Sequence, residues 1–176
     1  KGAPKLGRDW TIADLTEFLD ASPSPWLVVD TAAARLSTAG FVQLSEDQPW
    51  DTLPTRGFVV RGAAVVAWSR GSDVDATSPL RIVGAHTDSP CLKVKPRPDG
   101  GSWGWKQLGV EVYGGALLNS WFDRDLGVAG RVVLQDASFV DVIVDRAVCR
   151  VPQLAIHLDR EVNEKGLQID KQQHLT

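Results

Sequence analysis

The stretch Leu80-Arg81-Ile82-Val83-Gly84-Ala85-His86-Thr87-Asp88-Ser89-Pro90 decides the fold. Its first part, Leu80 to Ala85, is apolar and β-branched and is bounded by Pro79, which predicts a buried strand. That strand delivers His86 at its C-terminal end, where ligands gather in open α/β sheets. Asp88, two residues on, lies on the same side of an extended chain. A carboxylate behind an imidazole fixes the ring tautomer and raises its basicity as a metal ligand. The competing reading is a strand-end His bonded to a turn carbonyl, and a His-x-Asp pattern leaves both readings open.

Upstream, the pattern is helical. Ile12, Leu15, Phe18 and Leu19 follow helical spacing behind a cap at Asp9 or Thr11. Pro23 and Pro25 end that helix, and one of them can open the next. The second helix presents Trp26, Val29, Ala33 and Leu36 on one face, with Gly40 at the position of a left-handed cap. Short strands follow: Phe41 to Leu44, then Gly57 to Arg61 and Ala64 to Trp68 as a hairpin around Arg61-Gly62. Arg70 to Pro79 is polar and turn-rich, which predicts an exposed loop.

Downstream, helical periodicity fades. Lys93 to Pro98 alternates charge with apolar or proline residues, as an edge strand or linker does, and Asp99-Gly100-Gly101 reads as a turn. Strand-like pieces run over 109–113, 130–135 and 140–144. A domain boundary near residue 91 follows, with a mainly β second part.

The 176 residues are 43% hydrophobic and 23% charged, with a net charge of −3. That is apolar content enough for a core and, with seven Trp and five Phe, argues against disorder. A mildly acidic balance without a basic block argues against a nucleic-acid partner. The longest apolar runs, such as Ala63 to Trp68, are too short to span a bilayer. No leader pattern is visible at the start, and two cysteines cannot build a disulfide framework, so a cytoplasmic setting is expected. Methionine is absent, so Lys1 is not a translation start, and a partial polypeptide is expected.

Other residues carry weaker signals. Asp123 and Asp125 flank Arg124, which suits acid–base chemistry or an ion-paired turn, the turn being the better reading. His157 sits inside the apolar run Leu154 to Leu158, which is the setting of a core or interface histidine. His174 lies in a polar tail and carries no functional weight. Trp103 and Trp105 offer stacking faces, though aromatics at strand spacing more often pack or line an interface. Lys93, Lys95 and Arg97 suit an acidic ligand or, more simply, a solvated edge.

Taken together, five features resemble the aspartyl aminopeptidase family of dinuclear zinc exopeptidases. They are Asp20-Ala21-Ser22-Pro23-Ser24-Pro25; Gly84 to Pro90; Tyr113-Gly114-Gly115; Ser120 to Leu126 with Ala129-Gly130-Arg131; and Arg150-Val151-Pro152-Gln153-Leu154-Ala155-Ile156-His157. They stand in the family's order and cover its N-terminal portion. The resemblance implies an α/β fold: a zinc-exopeptidase α/β/α sandwich interrupted by a mainly β inserted domain that dimerises and covers the active site. Residues 1–90 would begin the catalytic domain and residues 91–176 the inserted one.

The resemblance also implies roles. His86 matches a zinc ligand, and Asp88 matches the acidic residue that orients it. His157 matches a histidine of the inserted domain that reaches a neighbouring subunit's site, binds substrate and stabilises the developing oxyanion. A second-metal-ligand role for His157 is the lesser alternative, because it lies in a different domain from His86. Two zinc ions are expected in the full-length protein, with the remaining ligands (a bridging Asp, a Glu-Glu pair, a further carboxylate and a His) later in the family sequence; Mn²⁺ or Co²⁺ are possible substitutes. The implied activity is removal of N-terminal Asp or Glu from peptides with a free N-terminus, in a dimer-based homo-oligomeric dodecamer without nucleic-acid or membrane partners. The 176-residue chain alone is expected to be inactive. Rival readings are a non-catalytic assembly module of a related peptidase and a different zinc hydrolase, such as an amidohydrolase, sharing only His-x-Asp.

Overall fold

The computed structural model describes residues 11–75 and 77–175. Two helices open it. α1 (Ile12–Asp20) starts at a reciprocal cap: the Asp14 backbone N–H donates to the Thr11 hydroxyl and the Thr11 backbone N–H donates to the Asp14 carboxylate, each at 3.2 Å. Thr11 is therefore the cap, and the alternative, Asp9, lies outside the described residues. α2 (Pro25–Thr38) has Ser24 as its cap and Pro25 in its first turn, where a missing N–H costs nothing. It ends at Gly40 (φ 82°), where Phe41 N–H donates to Leu36 C=O at 3.0 Å. Of the expected α2 face, Val29 is fully buried and Trp26, Ala33 and Leu36 are half-buried.

The first sheet has the order β1 (Val42–Gln43), β2 (Arg56–Arg61), β3 (Ala64–Ser69). β1 runs parallel to β2, and β2 and β3 form the expected hairpin, with Arg61 opposite Ala64 across Gly62-Ala63. Phe58 on β2 is fully buried. Trp68 packs against Trp50 at 6.2 Å between ring centroids and donates its indole N–H to the Pro54 carbonyl at 3.0 Å.

Two further strand pairs and two short helical segments make up the rest. β4 (Cys91–Ser102) and β5 (Trp105–Tyr113) form an antiparallel pair with a bulge between Val94 and Asp99 that accommodates Pro96 and Pro98, which have no N–H to give a ladder. β6 (Leu126–Val133) and β7 (Phe139–Cys149) pair across a short turn. The short helical segments Leu118–Trp121 and Val162–Lys165 (α3) were not legible in the sequence. No helix among the described residues is long and apolar enough to cross a membrane.

Several expectations need correction. Leu80 to Ala85 is neither a strand nor buried: it is unpaired, with Leu80, Ile82 and Val83 86%, 86% and 95% exposed. A β-branched run becomes a buried strand only where neighbouring strands pair with it, and no described strand does so here. Asp99-Gly100-Gly101 is not the turn. It continues β4, and the chain reverses at Trp103 (φ 55°) and Gly104 (φ 82°), both left-handed as a two-residue hairpin loop of this type demands. Trp103 and Trp105, expected to pack or to line an interface, are both exposed in the single chain.

The chain divides into two compact units, Lys1–Asp88 with Ala129–Val142, and Ser89–Val128 with Ile143–Thr176. In the first, Arg131 makes a two-pronged ion pair to Asp141, Nε to Oδ1 at 2.8 Å and Nη2 to Oδ2 at 2.7 Å. Its guanidinium also lies over Phe139 at 3.9 Å and Trp26 at 5.3 Å. The hydrogen bonds from Arg131 hold the Asp141 carboxyl below its usual range, against partial burial. A depressed carboxylate contributes stability above its unfolded pKa of ~3.9 and loses it as pH falls through the folded value. Asp141→Asn should therefore lower the melting temperature by about 2 °C at pH 7, with the difference from wild type closing as pH falls through the lowered folded value. Melting curves across that pH range provide the check.

Candidate metal centre

The His86 ring stands where the chain bends at Thr87, so the side chains on either side meet: His86 Nδ1 and Asp88 Oδ1 are 2.9 Å apart. The His86 side chain is 89% exposed and that of Asp88 36%. When the carboxylate accepts a proton from Nδ1, the lone pair is left on Nε2. That is the tautomer and orientation of a zinc-ligating histidine with its outer partner in place. The donor chemistry fits one zinc ligand. It does not complete a set: no cluster of three or more His, Cys, Asp or Glu among the described residues can hold a metal, and zinc takes about four ligands.

The loop is tied down next to the pair. The Thr87 hydroxyl donates to the Ala63 carbonyl at 2.7 Å, in the turn of the β2–β3 hairpin. Thr87 was not among the residues singled out from sequence. Its only signal was its place between the two candidate groups, because Ala63 lies 24 residues away.

His157 belongs to the second unit, on a turn where Leu158 N–H and Asp159 N–H donate to the Ala155 carbonyl at 2.8 and 3.2 Å. Of the two settings expected, core or interface, the core is the one the structure does not show. His157 is exposed, as are Leu154 (59%), Ile156 (45%) and Leu158 (73%), because the run forms a surface turn rather than a strand or helix with a covered face.

The segment leading into that turn is fixed by Asp123. Its backbone N–H donates to Val151 C=O at 2.9 Å, its carboxylate accepts from Gln153 N–H at 3.2 Å, and its carbonyl accepts from the Arg150 guanidinium at 2.8 Å. Arg150 also approaches the carboxylates of Asp123 (3.7 Å) and Asp125 (3.6 Å). These carboxylates thus belong to an ion-paired turn, with Arg150 rather than Arg124 as the partner. The groups are half-exposed, so the ion pairs themselves contribute little and the backbone bonds do the fixing.

The family model described as aminopeptidase I zinc metalloprotease (M18) matches residues 18–176. A probable M18 family aminopeptidase 2 of Streptomyces avermitilis is 58% identical over 162 residues, covering 92% of this chain and 38% of the relative. A chain from the cryo-EM structure of the Ape4 and Nbr1 complex superposes with a TM-score of 0.85 at 36% identity, over 93% of this chain and 32% of that one. The S. cerevisiae mApe1 dodecamer gives a TM-score of 0.72 at 27% identity, over 82% of this chain and 36% of that one. The chain thus spans about two-fifths of the length of its curated relative. Its fold is that of the α/β class these structures share, and the chain belongs to the M18 family of aminopeptidase I zinc metalloproteases.

Proposed function

We propose that the full-length polypeptide carrying this chain is a zinc-dependent aminopeptidase that removes N-terminal residues, Asp and Glu by preference, from peptides. The observation that carries this is the His86–Asp88 pair, in a chain of a zinc metalloprotease family. Two zinc ions are expected in the full-length protein. When bound, they supply Lewis-acid chemistry, polarising the scissile carbonyl and acidifying water.

The chain's own residues do the rest of what falls to it. His86 donates Nε2, and Asp88 keeps the proton on Nδ1 and the ring in orientation. His157 donates a hydrogen bond to the substrate carbonyl oxygen as negative charge develops there, acting in a neighbouring subunit's site. A ligand role for His157 is the lesser alternative. Residues 1–90 form the first part of the catalytic domain, and residues 91–176 the first part of the inserted dimerisation domain. This segment alone would be inactive, since the rest of the ligand set lies elsewhere. The working form is a homo-oligomer, a dimer-based dodecamer, in the cytoplasm. The dodecameric S. cerevisiae relative supports that assembly.

The test is a substrate panel on the full-length protein. Peptides beginning with free Asp or Glu should be cleaved at least tenfold faster in kcat/KM than those beginning with Leu, and N-acyl amino acids should not be cleaved. Equal rates on Leu peptides would refute the acidic preference, and preference for N-acyl substrates would refute the aminopeptidase reading.

A further inference from the structure

We propose that Asp123 is a positioning residue for His157: it pins the stretch of chain that leads into the histidine's turn and so sets where the imidazole stands. The proposal rests on the reading of His157 as the group that meets the substrate carbonyl oxygen.

Asp123 has left-handed backbone, at φ 53°, a region that Asp and Asn tolerate better than most side chains. In that conformation its N–H, its carbonyl and its carboxylate all bond to one short stretch. Arg150 donates to the carbonyl at 2.8 Å, Val151 C=O accepts from the N–H at 2.9 Å, and Gln153 N–H donates to the carboxylate at 3.2 Å. Phe122, the residue before Asp123, forms a parallel bridge with Val151. Pro152 lies between the bonded residues, and its ring fixes its own φ.

Residues 150–153 are thus held from one end of the stretch to the other. The turn that carries His157 begins at Ala155, whose carbonyl accepts from Leu158 N–H and Asp159 N–H at 2.8 and 3.2 Å. One residue, Leu154, separates the two sets of bonds. All of these groups lie in the second unit, so the bonds need nothing from the rest of the polypeptide. A donor aimed at developing charge works within a narrow range of distance and angle, and misplacement by about 1 Å can cost about 10²-fold in rate.

The experiment measures kcat and KM on a peptide with N-terminal Asp, together with zinc content and oligomer mass, for the full-length protein. The variants are Asp123→Gly, Asp123→Asn, His157→Ala and the double variant Asp123→Gly with His157→Ala. Asp123→Gly suits the left-handed backbone and removes only the carboxylate, and it should lower kcat about tenfold with zinc content and oligomer mass intact. KM should stay within about twofold, because the bond strengthens as charge develops. Asp123→Asn keeps an oxygen for the Gln153 N–H and should stay within about threefold of wild type. In the His157→Ala background, Asp123→Gly should change kcat by less than about twofold, since no imidazole is left to misplace. Arg150→Met, which cuts the bond to the Asp123 carbonyl from the other side, replaces Asp123→Gly if the latter does not assemble, with the same non-additivity expected. An equal loss with and without His157 would overturn the proposal, by showing that Asp123 acts on the fold at large. Unchanged kcat in Asp123→Gly beside a large loss in His157→Ala would overturn the role of Asp123 alone. Unchanged kcat in His157→Ala would overturn the reading of His157 itself, and with it the need to position it.

Discussion

His157→Ala in the full-length protein is expected to lower kcat by about 10²–10³ while leaving the zinc content intact, as loss of one preorganised donor to a developing oxyanion does. KM should change far less, because the bond strengthens as charge develops. Placement on an exposed turn, secured upstream through Asp123 and flanked by exposed Leu154, Ile156 and Leu158, suits a group offered to another chain. Co-assembly gives the sharper result. Mixed oligomers of His157→Ala and His86→Ala subunits should recover about a quarter of wild-type activity, since random pairing places an intact His157 beside an intact His86 that often. Inactive mixed oligomers would restrict His157 to its own subunit, and full activity of His157→Ala alone would remove it from the mechanism.

The second large effect concerns the metal. His86→Ala should leave the full-length protein with substoichiometric zinc after dialysis and no measurable turnover. Asp88→Asn keeps the side-chain shape but weakens the bond that fixes the imidazole, and should cost about 10–100-fold in zinc affinity. Elemental analysis and chelator competition measure both. Unchanged zinc content in His86→Ala would end the account of this site.

What could be read from the sequence was local. Thr11, Pro25, Gly40 and the hairpin around Gly62 act within a few residues, and each stands where its chemistry places it. His86 and Asp88 were legible for the same reason, being two residues apart. What failed was non-local. Leu80 to Ala85 has the composition of a buried strand, but burial depends on what pairs with it and covers it, and this chain spans about two-fifths of the length of its curated relative. The turn at Trp103-Gly104 lost out in the reading to the more conspicuous Asp99-Gly100-Gly101, although left-handed backbone decides a hairpin loop and a tryptophan adopts it here. Thr87 with Ala63 and Asp123 with Arg150 are bonds across 24 and 27 residues, invisible to any periodicity. The return of Ala129–Val142 to the first unit, through Arg131 to Trp26 of α2, was hidden in the same way.

The most direct measurement of the central claim is a zinc-loaded structure of the full-length protein, with zinc located by its anomalous signal. The account predicts a zinc ion ~2.0–2.1 Å from His86 Nε2, with Asp88 still bonded to Nδ1 and the Thr87 hydroxyl still on the Ala63 carbonyl. Fully occupied zinc elsewhere, with His86 Nε2 open to solvent, would contradict it.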